Sequence, residues 1–504
     1  MVTMITVISC VSILLCVFIW FLLKWRTVKN FWAERGVPHY SPHPILGSLT
    51  FLQRQNPAVW MRQVYNEFKS PYVGMWAFWR PGLVINCPDL ARKVLVKDHE
   101  VFKNRFLSSG KTDPIGGLNL FTVNDPTWSF LRRRLTVLFT AARLRSLNSL
   151  LSAKSNDLVE RIRDDMFNED PLNLRVLCSD FTTDVIGEAA FGLTSESVKT
   201  GDSLMRRITK EFVKFNLHRG LCWSSIFFFP EMVDVFRFSL FPKDSLETLR
   251  HIFRTIINQR GGYEKEVKEC RDLLDALLKI RQEAAEDNEE ISEDLLLAQA
   301  AIFLLGGFDT SGVTLTWTLY ELAWNPQCQE RLYQELLDAK QKNGGKDLDA
   351  SSLAELTYIN CVIKEALRKF PSMGWLDRIA SQDYKIDENL TIPSGTVVYV
   401  NAVGMQQDPQ YFPNPQIYNP ERFLPENERN ITPYTFLPFG DGPRGCIGKR
   451  FGYQTVRCGL AAIILNYELR ALPNMPKPNE CHIEKHGLFL GPDKKLSVEF
   501  RLRN

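Results

Sequence analysis

The 11 cysteines of this chain include no Cys-x-x-Cys pair. Without that spacing there is neither a zinc site nor a disulfide framework. Scattered thiols of this kind behave as small buried hydrophobes and suit a protein facing a reducing cytosol. Charge of one sign is also missing: 61 Lys and Arg stand against 58 Asp and Glu, a net +3. A nucleic-acid binder carries a much larger basic excess, so that class is excluded. The first apolar run, Met4 to Leu23, has no basic segment before it and no small-residue cleavage site after it. It is therefore not a cleaved secretory signal, and it is too apolar for an Arg- and Ser-rich mitochondrial presequence. A usable nucleotide fingerprint is absent too. Gly440, Gly442 and Gly445 fit GxGxxG, but Pro438 and Pro443 interrupt the loop and too little chain follows for a strand-helix-strand unit.

What is present is an ordinary globular balance, 504 residues with 45% hydrophobic and 24% charged, enough to enclose a deep pocket. The run Met4 to Leu23 has the length of one membrane-spanning helix. Lys24, Arg26 and Lys29 follow it, so the positive-inside rule leaves the remainder cytosolic, as for an uncleaved anchor in the endoplasmic reticulum. Three prolines between Gly36 and Gly47 predict a stiff extended linker. The expected organisation is an anchor over 1–23, a linker over 24–47 and one body over 48–504. Short β-branched and aromatic runs predict strands at Tyr72–Phe78, Leu83–Asn86, Thr396–Asn401 and Leu496–Leu502. Helical periodicity dominates the rest, apart from a loop over Ser108–Asp125 and an acidic solvated loop over Glu283–Glu290. The expected fold class is mainly α with small β-sheets.

The chemistry concentrates in Phe439–Gly448, FGDGPRGCIG. Cys446 lies just before a helical run, where backbone N–H groups favour a thiolate. The glycines allow close approach to something bulky and flat, and Arg444 offers it a cation. A thiolate, a close-approach loop and a cation suit a haem iron held through cysteine. A second signal is the helix predicted from an N-capping Ser292 to Trp324. It is apolar nearly all round and therefore buried. Yet Gly306 and Gly307 weaken it, and Asp309 and Thr310 place polar groups at its centre, which is costly without partners. Glu365 and Arg368 share a helix face, as do Trp128 and Arg132.

These stretches together resemble the cytochrome P-450 monooxygenases. Phe439, Gly442, Arg444, Cys446 and Gly448 match the family's cysteine-ligand loop. The resemblance makes Cys446 the axial ligand of haem b, sets Phe439 beside the sulfur and gives the haem propionates Arg444, Trp128, Arg132, Arg378 and Arg105. It assigns oxygen and proton handling to Thr310 and Asp309, and joins Glu365, Arg368 and Arg422 in a structural network behind the loop. It implies a lipophilic substrate, dioxygen, and electrons from NADPH through a cytochrome reductase, with cytochrome b5 as a second donor. Arg133, Arg134, Lys449, Arg450 and Arg457 form the candidate docking face. It places the aromatic cluster Cys222–Pro230 in a lid that dips into the bilayer, with plain core packing as the rival reading. The anchor and linker look most like the insect microsomal branch. Two other functions fit a haem-thiolate loop: a reductase-independent isomerase or dehydratase, and a non-catalytic haem carrier or sensor. Asp309 and Thr310 argue against both.

Overall fold

The computed structural model describes residues 2–168, 171–286 and 289–503. Residues 1 and 504, which end the expected anchor and body, and 287–288 of the acidic stretch lie outside the described residues. The functional elements are α1 (Val2–Asn30), α2 (Thr127–Thr136), α3 (Leu174–Phe191), α4 (Leu217–Phe228), α5 (Leu273–Glu286), α6 (Glu293–Trp324), α7 (Thr357–Lys369) and α8 (Lys449–Asn466). The strands are β1 (Tyr72–Ala77), β2 (Arg80–Ile85), β3 (Leu376–Ile379), β4 (Tyr384–Lys385), β5 (Thr391–Ile392), β6 (Val397–Val400), β7 (Tyr467–Ala471) and β8 (Val498–Leu502). The largest sheet has the order β1-β2-β6-β3, with β2 and β6 parallel. The molecule is mainly α with small sheets, as the sequence predicts.

Among the described residues two helices are long and apolar enough to span a membrane, and burial separates them. The span Ile8–Arg35 has none of its apolar window buried, whereas 78% of the window in α6 is covered by protein. Leu14 is 68% exposed and Leu23 is 63% exposed, an arrangement water does not tolerate along a whole helix but lipid favours. The proline-rich segment after α1 lies along β1 rather than hanging free. Gly74 donates its N–H to the Pro38 carbonyl at 2.8 Å. The fully buried Trp32 donates to the Met75 carbonyl at 3.0 Å. A Cβ at Gly74 would fall 2.4 Å from the Trp32 ring, so glycine is what lets the indole lie flat on the strand.

Helix α6 crosses the body from the Ser292 cap, whose hydroxyl accepts the Leu295 N–H at 3.2 Å, to Trp324. Its flanks pack on α3 and α8, where a Cβ at Gly459 would meet Phe181 at 2.8 Å. Its C-terminal half is pinned by Trp317, stacked on Phe370 at 3.9 Å between ring centroids. Three local expectations need correction. The Ser108–Asp125 loop contains a helical turn, Pro114–Gly117, because Asp113 caps it by accepting the Gly116 N–H. Glu283 to Glu286 belong to α5, since the apolar stripe of that helix continues to the buried Ala284. The aromatic cluster on α4 faces inward: Trp223, Phe227 and Phe228 are buried, so core packing describes these three rings, while Phe229 and Pro230 at its end are half-buried.

Behind the cysteine loop sits a fully buried ion pair. Arg368 donates to both Glu365 oxygens at 2.7 and 2.8 Å, and Arg422 approaches the same carboxylate at 3.4 Å. Arg368 also donates to the carbonyls of Gln406 and Pro415 at 2.9 and 2.7 Å. Gln406 in turn accepts the Leu437 N–H at 2.9 Å, two residues before the loop begins. The network thus reaches the loop through Gln406. Replacing Arg368→Met leaves Glu365 buried without its main partner. We expect a loss of roughly 3–5 kcal/mol in unfolding free energy, measured by urea titration, with the loop the first region to lose amide protection in hydrogen exchange.

Candidate functional site

The cysteine loop is built by two left-handed glycines. Gly440 and Gly442 have φ of 65° and 71°, a region closed to most L-residues. Gly442 has a second reason to be glycine, because a Cβ there would sit 2.0 Å from the Leu95 carbonyl oxygen. The turn closes when Cys446 donates its N–H to the Phe439 carbonyl at 2.9 Å. That bond presents the thiol just before α8. The Phe439 ring lies against Tyr453 at 5.1 Å. Burial pushes the Cys446 thiol up in pKa, while the Gly448 N–H and the cations of Arg132, Lys449 and Arg105 pull it back. The sulfur is surrounded by protein at depth, yet its residue is exposed, because it borders an internal cavity of about 370 Å³.

That cavity brings together most of the predicted residues. Cys446, Arg444, Arg105, Trp128, Arg132, Phe439, Gly448 and Thr310 all line it. Arg378 and Asp309 do not reach its wall. Arg444 stacks its guanidinium over Trp128 at 4.1 Å. It also donates to the carbonyls of Lys103 and Val123, both at 3.0 Å. Arg378 lies just behind, with Nη1 on the Asp377 carbonyl at 2.7 Å. Burial and the neighbouring guanidiniums push Arg444 down to about 8 and Arg378 down to about 9. Arg105 is lowered by burial as well. Its Nε is buried without a hydrogen-bond partner.

The anion facing this cluster is Asp377, which the sequence reading did not single out. It accepts the Phe106 and Leu107 N–H groups at 2.9 and 3.2 Å and lies 3.8 Å from Arg105. One carboxylate among crowded guanidiniums leaves a positive surplus, and an orphaned Arg105 donor points the same way. The donor set fits a ligand with two carboxylates and a metal for Cys446, which is what haem brings.

On α6, Thr310 bonds its hydroxyl to the Gly306 carbonyl at 2.6 Å. The glycine pair divides its work. A Cβ at Gly306 would meet nothing, whereas one at Gly307 would clash with Ile186 of α3 at 2.6 Å, so Gly307 serves helix packing. Asp309 is 1% exposed and its carboxylate pairs with Arg175 of α3. Asp309 Oδ2 has no partner. Sequence spacing carried no hint of Arg175, which lies 134 residues away. Among the candidate docking cations, Arg133, Lys449 and Arg450 are exposed. Arg457 is instead held inward by Asn360 at 2.8 Å and by the Tyr453 ring. Arg134 lies over Phe130 at 3.8 Å. Replacing Asp377→Asn removes the buried counter-charge. We expect a cost of about 3–5 kcal/mol, measured by urea unfolding of the haem-free protein, with a smaller loss once haem is added.

The family profile described as Cytochrome P450 matches residues 37–500. Cytochrome P450 6k1 of Blattella germanica is 33% identical over 472 residues, covering 90% of this chain and 89% of the relative. Probable cytochrome P450 6g2 of Drosophila melanogaster is 33% identical over 470 residues, with 89% and 90% covered. Cytochrome P450 6l1 of Blattella germanica is 33% identical over 479 residues, with 93% and 92% covered. Together with the thiol-bearing cavity, these matches show that the chain belongs to the cytochrome P450 family, on its insect branch, whose members hold haem through a cysteine thiolate and receive electrons from a redox partner.

Proposed function

We propose that this chain is an NADPH-dependent monooxygenase that inserts one atom of dioxygen into a lipophilic small molecule, such as a xenobiotic, a hormone or a fatty acid. The single observation behind this reading is the cavity wall. It places the Cys446 thiol, the guanidiniums of Arg105, Arg132 and Arg444 and the Thr310 hydroxyl on the wall of one cavity, together with many apolar and aromatic side chains. Haem bound there supplies the activation of oxygen, and cysteine ligation favours O–O cleavage. The chain supplies everything else. Cys446 would bind the haem iron through its sulfur, and Arg105, Arg132 and Arg444 with Trp128 would hold the propionates. Arg378 supports them from behind.

Trp223, with the Phe227 and Phe489 rings against it on the cavity wall, orients an apolar substrate and excludes water from it. Thr310 offers a hydroxyl at the cavity wall. Asp309 is the proton relay: one of its oxygens is held by Arg175, and the unpartnered Oδ2 is the atom left to exchange protons through bound water. We place the protein in the endoplasmic reticulum membrane with its body on the cytosolic face. The exposed apolar helix α1 and the three cations that follow its apolar run support this. Arg133, Lys449 and Arg450 form the docking face for an acidic flavoprotein reductase and for cytochrome b5.

Two measurements test the reading. The purified protein, reduced and exposed to carbon monoxide, should show the red-shifted absorption of a thiolate-ligated haem, and Cys446→Ser should lose it. Thr310→Ala should fold and bind haem as before, yet form several-fold less product per NADPH consumed. Product formed without any reductase or NADPH would instead identify an isomerase, and a correctly folded protein that never turns over would identify a carrier.

A further inference from the structure

One face of α8 supports the cysteine loop. Lys449, Tyr453 and Arg457 stand at i, i+4 and i+8 of that helix, and residues so spaced share a face. The Lys449 ammonium lies 5.8 Å from the centre of the Phe439 ring. That ring packs on Tyr453 at 5.1 Å between centroids, tilted by 39°. The Arg457 guanidinium lies 5.1 Å from the centre of the Tyr453 ring. The four side chains form one ladder: cation, ring, ring, cation. The α8 backbone backs it, since a Cβ at Gly452 would stand 3.9 Å from the Phe439 ring.

The far end of the ladder is tied to α7. Arg457 Nε donates to Asn360 Oδ1 at 2.8 Å. Asn360 is itself held, because its amide nitrogen donates to the carbonyls of Ala354 and Leu356 at 3.1 and 2.5 Å. Both partners of Arg457, this amide and the Tyr453 ring, are neutral. Among the described residues no carboxylate forms an ion pair with it. Burial lowers the guanidinium from its ordinary value, with Tyr453, Cys458 and Glu355 opposing, yet an arginine keeps its charge.

A half-buried charge without a counter-ion is less screened than one in water. The ladder fixes where this charge sits relative to Phe439, whose carbonyl accepts the Cys446 N–H at 2.9 Å. Arg450, on the same helix, is exposed, so solvent and salt screen it. The two arginines therefore have different reach toward the thiol. A fixed positive charge favours whichever state of a nearby centre carries one more electron.

We propose that Arg457 is a positioning residue for reduction of the bound haem: held by Asn360 and Tyr453, it keeps one unneutralised positive charge behind the Cys446 loop and raises the midpoint potential there. The inference rests on the haem reading above. The readout is the midpoint of the full-length, haem-loaded protein, titrated with dithionite through redox mediators and without any reductase. Arg457→Gln should make reduction roughly tenfold less favourable, a fall of about 59 mV for one electron, while the red-shifted carbon monoxide band keeps its position. Arg457→Met, whose chain preserves the packing of the stem, should do the same, and it decides the matter if the Gln variant does not fold. Arg457→Lys retains the charge and should keep most of the parent midpoint. Arg450→Gln should leave the midpoint where it is. An unchanged midpoint in the neutral variants, an equal fall in Arg457→Lys, or an equal fall in Arg450→Gln would each overturn the proposal. So would a loss of reductase affinity in Arg457→Gln with no change in midpoint, which would make Arg457 a docking cation. Failure of the haem reading is distinct, because the parent would then show no red-shifted band at all.

Discussion

The constraint on which the site depends is an excess of buried positive charge. Arg105, Arg378 and Arg444 crowd around one carboxylate, Asp377; burial lowers all three guanidiniums, and repulsion from neighbouring arginines lowers Arg378 and Arg444 further. Such a cluster is expensive to desolvate unless anions complete it. The fold tolerates it by giving Arg444 two backbone carbonyls and the Trp128 face, and by giving Asp377 two backbone N–H groups. The remaining imbalance faces the cavity. Retention of an anionic cofactor is therefore coupled to the stability of this region, because binding to the folded state adds to its free energy.

The loop that carries Cys446 has little regular structure of its own, so its shape is imposed from outside. Gly442 must pass within contact of Leu95, and Gly440 must turn left-handed. Leu437 is anchored through Gln406 to Arg368, which is locked to Glu365 without solvent access. This chain of hydrogen bonds explains why a buried ion pair of modest net worth is kept. Breaking either partner would leave a bare charge in the interior and loosen the turn that aims the thiol.

The wall on α6 solves the opposite problem, placing polarity inside an apolar helix. Thr310 answers it locally by bonding the Gly306 carbonyl, and Asp309 answers it at long range through Arg175. The two neighbours therefore have different standing. Thr310 borders the cavity, whereas Asp309 faces α3 with one oxygen unsatisfied. Gly307 belongs to the same solution, since only a residue without a side chain lets α6 approach Ile186 so closely.

Much of this was legible in the letters because it is local. The cap at Ser292, the glycine turn before Cys446, the i to i+3 pair of Glu365 and Arg368, and the apolar run of α1 each follow from spacing along a few residues. The family resemblance extended that to Arg422, Arg444 and Trp128. What stayed hidden depends on residues far apart in sequence. No period marks Asp377 as the counter-charge, Arg175 as the partner of Asp309, Gln406 as the bridge to the loop, or Arg457 as a cation turned inward. The linker's docking on β1 and the inward face of the α4 aromatics were likewise decided by what packs beside them. Sequence alone determined which side chains could do the chemistry and roughly where the chain turns. Tertiary structure alone decided which of them face one cavity, because burial and electrostatic partnership are properties of neighbours in space rather than along the chain.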